Sequence, residues 1–443
     1  MTTAVVVLAA GKGTRMRSRL PKVLHPAGGR SLLASVLKAV GEAGIAASDT
    51  AVVAGYGLEA IGAALAGSGV EIVRQEPQLG TGHAVLSAQA WWKRHGQVVV
   101  VHGDMPLLSA GTVAGLARMR LQSGAAAVLA TAAPAEPRAY GRILRDPKRP
   151  ERILGIVEQK QATPEQLAIR ELNAGFYCFE SAALAAALGQ LGTDNPHAEY
   201  YLTDTIARLA AQGVIGYALE DDRECLGVND RAELAELDQD LRRRKVAALL
   251  AAGVSVQLPA TVVIDPEVQV GEDSVIEAGV QLLGTTRIGA NCRIRAHSVV
   301  ESAVVEDGAI IGPLARLREG AVIGAGAHIG NFVEVKKSLI GKGSKANHLA
   351  YIGDAVVGEK ANIGAGTITC NYDGVHKHPT TIGDGAFIGS NTTLVAPVEI
   401  GAGAYVGAGS VITEAVPADG LGLGRARQAV KPGWAANRRK KQP

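Results

Sequence analysis

Ile264-Asp-Pro-Glu-Val-Gln-Val270-Gly-Glu-Asp-Ser-Val-Ile276-Glu-Ala-Gly-Val-Gln-Leu282-Leu-Gly-Thr-Thr-Arg-Ile288-Gly-Ala-Asn-Cys-Arg-Ile294 carries an aliphatic side chain at every sixth position, and Val300 extends the run. After a slip of one residue, Val305, Ile311, Leu317, Ile323, Ile329 and Val335 repeat the pattern, and Ile382, Ile388, Leu394, Ile400, Val406 and Ile412 repeat it again. A period of six matches neither the helix nor a simple strand. It matches a coil of three short strands whose aliphatic residues point inward. Gly271, Gly289, Gly324, Gly383 and Gly401 each follow such a residue, and two reasons are expected: a bulky residue would crowd the tight turn, and glycine tolerates the dihedrals the turn needs. The pattern predicts a parallel β-helix, in which each coil buries its apolar side against its neighbours.

Two stretches rich in Gly, Lys, His and Asn depart from the rhythm, at 334–351 and 369–378. Loops leaving a rigid column are candidate sites. Within them Lys336 is a candidate phosphate ligand, with Arg318 just upstream, and His348 a candidate general base, since imidazole titrates near neutral pH. A lone histidine is more often a plain surface or satisfied residue than a catalytic one. His376 and His378 have no evident third metal ligand, so a solvated loop is expected there.

The first half has another rhythm. Residues 4–8 read as a buried parallel strand, Ser31 to Val40 as a helix, 50–54 and 70–73 as strands, Leu58 to Leu65 as a helix, and 97–101 as a strand. Strands alternating with helices predict a parallel sheet with ligands beyond its carboxyl edge. Residues 231–250 lack Gly and Pro and read as a connecting helix. The expected domains are 1–230, a helical linker at 231–251, and 252–443 including a Gly/Pro/Arg-rich arm.

The chain has 443 residues, 20% charged and 47% hydrophobic, a globular composition with room for more than one domain. A net charge of +3 argues against nucleic acid or a membrane surface as partner. The basic end Arg438-Arg439-Lys440-Lys441 reads as a solvated tail. Four well-separated cysteines make no metal or disulfide framework. The amino terminus has no leader-like pattern and no apolar run reaches membrane-spanning length, so a cytosolic location is expected.

After the first strand comes Leu8-Ala9-Ala10-Gly11-Lys12-Gly13-Thr14-Arg15-Met16, then Pro21-Lys22. Its spacing fits neither a P-loop nor a dinucleotide fingerprint. Small residues there let backbone N–H groups approach phosphate, and Lys12, Arg15 and Lys22 add charge. A turn carrying solvated lysines fits the glycine content equally, and only the position after a strand favours phosphate. Asp104 in His102-Gly103-Asp104 is placed to hold Mg²⁺ against a triphosphate, or to cap the helix after Pro106, or both.

These segments, with Gln78-Leu-Gly-Thr-Gly-His83, Tyr140-Gly-Arg-Ile143, Gly155-Ile-Val-Glu158, Asn173-Ala-Gly175 and Gly227-Val-Asn229, resemble the sugar-1-phosphate nucleotidyltransferases. Joined to the hexapeptide rhythm, almost the whole chain resembles the bacterial family of bifunctional N-acetylglucosamine-1-phosphate uridyltransferases/glucosamine-1-phosphate N-acetyltransferases. The resemblance implies an α/β Rossmann-like nucleotidyltransferase domain followed by a left-handed parallel β-helix of hexapeptide repeats. It implies that Leu8, Ala9, Ala10, Gly11, Gln75, Gly80 and Thr81 hold the uridine nucleotide, with His102 and Gly103 beside them. Gly141, Glu158 and Asn173 would hold the sugar, Asp104 and Asn229 would carry Mg²⁺, and Arg15 and Lys22 would neutralise charge as the sugar phosphate attacks UTP. In the second half it implies His348 as catalytic base oriented by Glu334. Arg318, Lys336, Tyr351 and Asn362 would form a sugar-phosphate site, and Ala365, Asn371, Tyr372, Ser390, Ala408 and Arg425 an acetyl-CoA site. It further implies a homotrimer with acyltransferase sites between subunits, and a place in UDP-N-acetylglucosamine synthesis for peptidoglycan and lipopolysaccharide.

Three positions depart from the family pattern. His102 stands where Tyr is common, Glu319 where Pro is usual, and Asn347 where Gly is usual. Glu319 is expected to weaken phosphate binding slightly. Two other functions fit parts of the chain. One is a nucleotidyltransferase whose β-helix only trimerises or regulates, against which the 336–372 segment argues. The other is a non-catalytic exchange subunit of translation initiation, against which Gly11-Lys-Gly-Thr-Arg15 and Asp104 argue.

Overall fold

The computed structural model describes residues 2–135, 140–195 and 198–439, so Lys440 and Lys441 of the basic end lie outside it. The chain divides into two compact units, Met1–Leu241 and Arg242–Pro443.

In the first unit, β1 (Thr3–Ala9), β2 (Thr50–Ala54), β3 (Glu71–Arg74) and β4 (Gln97–His102) form a parallel layer in the order β3-β2-β1-β4. β5 (Ala127–Ala132), β6 (Arg142–Asp146), β7 (Arg149–Val157), β8 (Leu172–Glu180) and β9 (Val214–Ala218) extend it as β4-β8-β5-β9-β7-β6. β8 runs antiparallel to both its neighbours, β4 and β5. The β-branched run in β1 suits a strand buried on both faces. Ala4, Val6 and Leu8 enter one core with Trp92 and Leu184, while Val5, Val7 and Ala9 enter another with Val36 and Leu116. Ser31 starts the helix Leu32–Glu42, its hydroxyl oxygen accepting from Ala34 N at 3.2 Å. Because β1 and β4 end side by side, the loops after them share one edge of the sheet, where the candidate residues of this half gather.

The second unit is the predicted β-helix: three parallel sheets of ten, nine and eight strands. Residues facing each other on successive coils are 18 apart, as in Ile276 opposite Ile294, or 17 apart, as in Ile294 opposite Ile311. The slip after Val300 is therefore a coil shortened by one residue. Ile276, Leu282, Ile294, Val300, Ile311, Leu317, Ile323, Ile329 and Val335 are fully buried in one continuous core. Each contributes about 1.5–3 kcal/mol over an exposed position.

Two expectations are corrected. The glycines after the inward residues do not supply unusual dihedrals, since Gly271, Gly289, Gly324, Gly383 and Gly401 all have ordinary φ. The expected crowding does hold, because the next coil's backbone lies against them: a Cβ on Gly383 would meet Ala402 N at 2.5 Å, and one on Gly324 would meet Lys342 N at 2.8 Å. The segment 334–351 is also no interruption. Glu334–Lys336, Leu339–Ile340, Lys345–His348 and Tyr351–Gly353 are all strands, with buried Ala346 taking the inward place of a larger aliphatic residue. The true excursion is at 371–379. There Val357 faces Ile382, 25 residues on, where Ile340 and Val357 are only 17 apart.

The helix Arg231–Ala251 forms as its Gly- and Pro-free sequence predicts, and the boundary between units falls inside it. In the first unit Asp238 Oδ1 accepts from Gly28 N at 2.7 Å. In the second, Lys245 Nζ donates to the carbonyls of Pro266 and Val268 at 3.0 and 2.7 Å. No described helix is long and apolar enough to cross a membrane.

Candidate active sites

The turn after β1 and the end of β4 open onto a cavity of about 880 Å³, lined by Leu8, Ala9, Ala10, Gly11, Lys12, Lys22, Gln75, Gly80, Thr81, His102 and Asp104. Gly11 has no atom within 4 Å of where a Cβ would stand, so its backbone is open to a ligand. Gln75 Nε2 donates to Gly80 O at 3.0 Å, and Leu202 N donates to Thr81 Oγ1 at 3.1 Å. Gly80 has φ near +100°, and its Cβ would lie 2.7 Å from Tyr200 O. Gly103 N donates to Leu8 O at 2.9 Å, tying the two loops together.

Lys22 forms an ion pair with Asp104, and Arg15 donates to Asn229 Oδ1 at 2.9 Å. Val228 N donates to Asp104 O at 3.1 Å, which brings Asn229 beside the acidic turn. Asp104 caps no helix: the one that follows, Ala110–Ser123, is capped by Ser109, whose hydroxyl accepts from Thr112 N. A carboxylate and an amide oxygen, each already drawing in a cation, are hard donors of the kind Mg²⁺ takes beside phosphate oxygens. Among the described residues no three His, Cys, Asp or Glu side chains cluster to hold a metal on protein groups alone.

A second cavity of about 400 Å³ shares Thr81 and His102 with the first and contains Gly141, Glu158 and Asn173. Asn173 Nδ2 donates to Tyr177 Oη at 2.8 Å, and its Oδ1 accepts from Gly175 N at 3.2 Å. Burial pushes the Glu158 carboxyl above its ordinary range, with Asp204 adding to the shift and the Thr203 hydroxyl at 3.3 Å opposing it. Burial lowers the His102 pKa, so a neutral ring stands where the family pattern has a phenol. Tyr177, Tyr201 and Thr203 also line this cavity. Sequence reasoning missed them because no motif marks residues assembled from separate loops.

On the β-helix, strands β10 (His328–Asn331), β11 (Glu334–Lys336), β12 (Lys345–His348) and β13 (Tyr351–Gly353) bring the second set together. Glu334 faces Tyr351 across one ladder, and Asn331 faces His348 across another. Arg318 donates to Glu334 Oε1 at 2.9 Å, and that carboxylate raises the Arg318 pKa. Glu319 is exposed, and the carboxylates acting on Arg318 are Glu334 and Glu301. Glu334 therefore pairs with arginine, while His348 Nδ1 lies 2.8 Å from Asn331 Oδ1. The polar group against the His348 ring is thus Asn331, on the neighbouring coil of the same sheet. Lys377, which sequence reasoning passed over, reaches Lys336 from the 371–379 loop. Its contact and the charge of Arg318 hold the Lys336 pKa below its ordinary value. Three crowded cations make a ready anion site.

Asn362 continues the sheet of His348, facing Lys345. Ala365, Ser390 and Ala408 lie on successive coils: Ala365 O accepts from Asn391 N at 2.7 Å, and Ser390 O accepts from Gly409 N at 2.8 Å. Asn371 bonds Asp354, while exposed Tyr372 donates to Gly374 O at 2.5 Å within its own loop. Arg425 is exposed beyond the last strand, Leu421–Gly422, and no described contact joins it to the others. His378 Nε2 lies 2.8 Å from Asp373 Oδ2, within its own loop. Asn347 leaves its Oδ1 buried without a hydrogen-bond partner.

Fold and sites together define a nucleotidyltransferase joined to a hexapeptide-repeat transferase, and the comparisons agree. Residues 5–256 match the model of the MobA-like NTP transferase domain. Residues 267–302, 302–337 and 379–414 match the bacterial transferase hexapeptide (six repeats). The chain is 47% identical to the bifunctional protein GlmU of Koribacter versatilis, over 99% of this chain and 98% of the relative. It is 49% identical to that of Solibacter usitatus, over 98% and 97%. A solved structure of UDP-glucose pyrophosphorylase complexed with UDP-glucose aligns with 55% of this chain and all of its own, at a TM-score of 0.46 and 18% identity. The chain belongs to the GlmU family of bifunctional proteins.

Proposed function

We infer that this chain makes UDP-N-acetylglucosamine in two steps. The β-helix domain acetylates glucosamine-1-phosphate with acetyl-CoA, and the α/β domain transfers UMP from UTP to the product, releasing pyrophosphate. The domains run 1–230 and 252–443, joined by the helix at 231–251. The observation that carries the two-step conclusion is similarity to bifunctional GlmU relatives along the whole chain. It disfavours a β-helix that merely trimerises or regulates.

In the first step the uncharged amine attacks the thioester carbonyl, the C–N bond forms, the C–S bond breaks and the CoA thiol leaves. An ammonium has no lone pair, so a base must take the proton, and His348 is that base. Arg318, Lys336 and Tyr351 hold the sugar phosphate, joined by Lys377, with Asn362 beside them. Support comes from the cations gathered at Lys336. Acetyl-CoA lies along the track of Ala365, Ser390 and Ala408, with Asn371, Tyr372 and Arg425 at its ends.

In the second step a phosphate oxygen of N-acetylglucosamine-1-phosphate attacks the α-phosphorus of UTP. The backbone from Leu8 to Gly11, with Gln75, Gly80 and Thr81, holds the nucleotide beside His102 and Gly103. Gly141, Glu158 and Asn173 hold the sugar. Asp104 and Asn229 would hold Mg²⁺, which when bound would supply positive charge to the reacting phosphates. Lys22 and Arg15, which stand beside Asp104 and Asn229, neutralise the phosphate charge. No nucleophilic side chain is needed, because positioning and charge do the work.

The assembly is a cytoplasmic homotrimer. Leu314, Phe332 and Leu349 stack on successive coils at 45%, 55% and 62% exposure, an apolar column of the kind a second copy covers. Sedimentation should return three times the 45.6 kDa chain mass. The deciding assay supplies glucosamine-1-phosphate, acetyl-CoA, UTP and Mg²⁺ together and identifies the nucleotide sugar. Free CoA without UDP-N-acetylglucosamine, or no CoA release, would sink the two-step conclusion.

A further inference from the structure

We propose that Asn331 is the positioning residue for His348, fixing the imidazole as its Nδ1–H tautomer so that the Nε2 lone pair faces the substrate amine. The proposal rests on His348 being the base of the acetyl transfer. The two residues face each other on adjacent coils of one parallel ladder, at the ends of β10 and β12. His348 Nδ1 lies 2.8 Å from Asn331 Oδ1. An amide oxygen can only accept, so the proton of a neutral imidazole sits on Nδ1 and Nε2 is left bare. A free histidine side chain prefers the opposite tautomer, so the bias must come from the protein. The alternative orienter, Glu334, is on a different sheet and is held by Arg318 at 2.9 Å. His328, on the same strand as Asn331, has its pKa lowered by burial and by Arg295, Lys345 and His348, so it adds no negative charge beside the ring. A ladder fixes the spacing of facing residues more firmly than a loop would, so the hydrogen bond is built into the coil.

The test uses the full-length protein labelled with ¹⁵N-histidine. Two-bond ¹H–¹⁵N correlations report which ring nitrogen is protonated, and His348→Ala identifies the signal among the ten histidines. Wild type and Asn331→Asp should show the Nδ1–H form, because a carboxylate also accepts. Asn331→Ala should shift the ring towards Nε2–H. In that variant kcat for acetyl transfer should fall about tenfold, the effect of losing one hydrogen bond's bias. KM for glucosamine-1-phosphate should stay within about twofold, and uridylyl transfer should be unchanged, which a general loss of folding would not produce. Asn331→Asp should restore most of the rate. An Nε2–H ring in wild type, or an alanine variant with unchanged tautomer and kcat, overturns the positioning role alone. Full acetyl transfer by His348→Ala would remove the base and the positioning role together.

Discussion

Replacing Gly80 by alanine tests how the nucleotide cavity is built. Its φ of 100° with ψ of 179° lies in a region that is nearly glycine-only, and a side chain there costs about 1–3 kcal/mol. The new Cβ would stand 2.7 Å from Tyr200 O and 2.9 Å from Glu199 Cβ. Neither segment is free to retreat, because Tyr200 N donates to Leu79 O at 2.8 Å and Gly82 N donates to Tyr200 O at 2.7 Å. Relieving the clash breaks at least one of these bonds, adding about 1 kcal/mol. The total, about 2–4 kcal/mol, should lower the first unit's unfolding midpoint by several degrees. Because Gly80 and Thr81 line the cavity, KM for UTP should also rise, while acetyl transfer on the β-helix keeps its rate. Thermal unfolding followed by fluorescence, with both activities measured on one sample, checks this. An alanine variant with wild-type midpoint and wild-type KM for UTP would refute the steric reasoning.

Asp104→Asn should cut uridylyl transfer about a hundredfold or more, because the site loses the charge that draws in Lys22 and the metal, and leave acetyl transfer untouched; steady-state pyrophosphate release measures it. Lys377→Met should raise KM for glucosamine-1-phosphate roughly tenfold or more, the scale of a hydrogen bond to a charged group, with uridylyl transfer unchanged; normal KM would mean that Lys377 does not meet the phosphate. The raised Glu158 pKa means the fold favours its protonated form. As pH falls, this carboxylate should therefore lose its charge above the ordinary glutamate value of about 4.3, and KM for N-acetylglucosamine-1-phosphate should climb there. Glu158→Gln should flatten that limb of the KM–pH profile, and identical profiles would sink the assignment.

The six-residue rhythm by itself determined the β-helix, because an inward position on such a coil tolerates only aliphatic or small side chains and each flat side returns once per turn. The valine runs at 4–8 and 97–101 likewise determined the parallel strands, since strands buried on both faces leave no polar alternation. Local motifs located Asp104, Lys22 and Gly11 because consecutive residues share one loop. Sequence could not distinguish a glycine needed for its dihedrals from one needed for clearance, as at Gly383, because the clash is with a coil about 18 residues away. It misjudged 334–351 as loop because Ala346 is too small to register as an inward aliphatic residue. Tertiary structure alone decided which acceptor meets His348. Asn331 is 17 residues upstream, one shortened coil, and only the register of the ladder brings its amide oxygen to the imidazole while Arg318 draws Glu334 away.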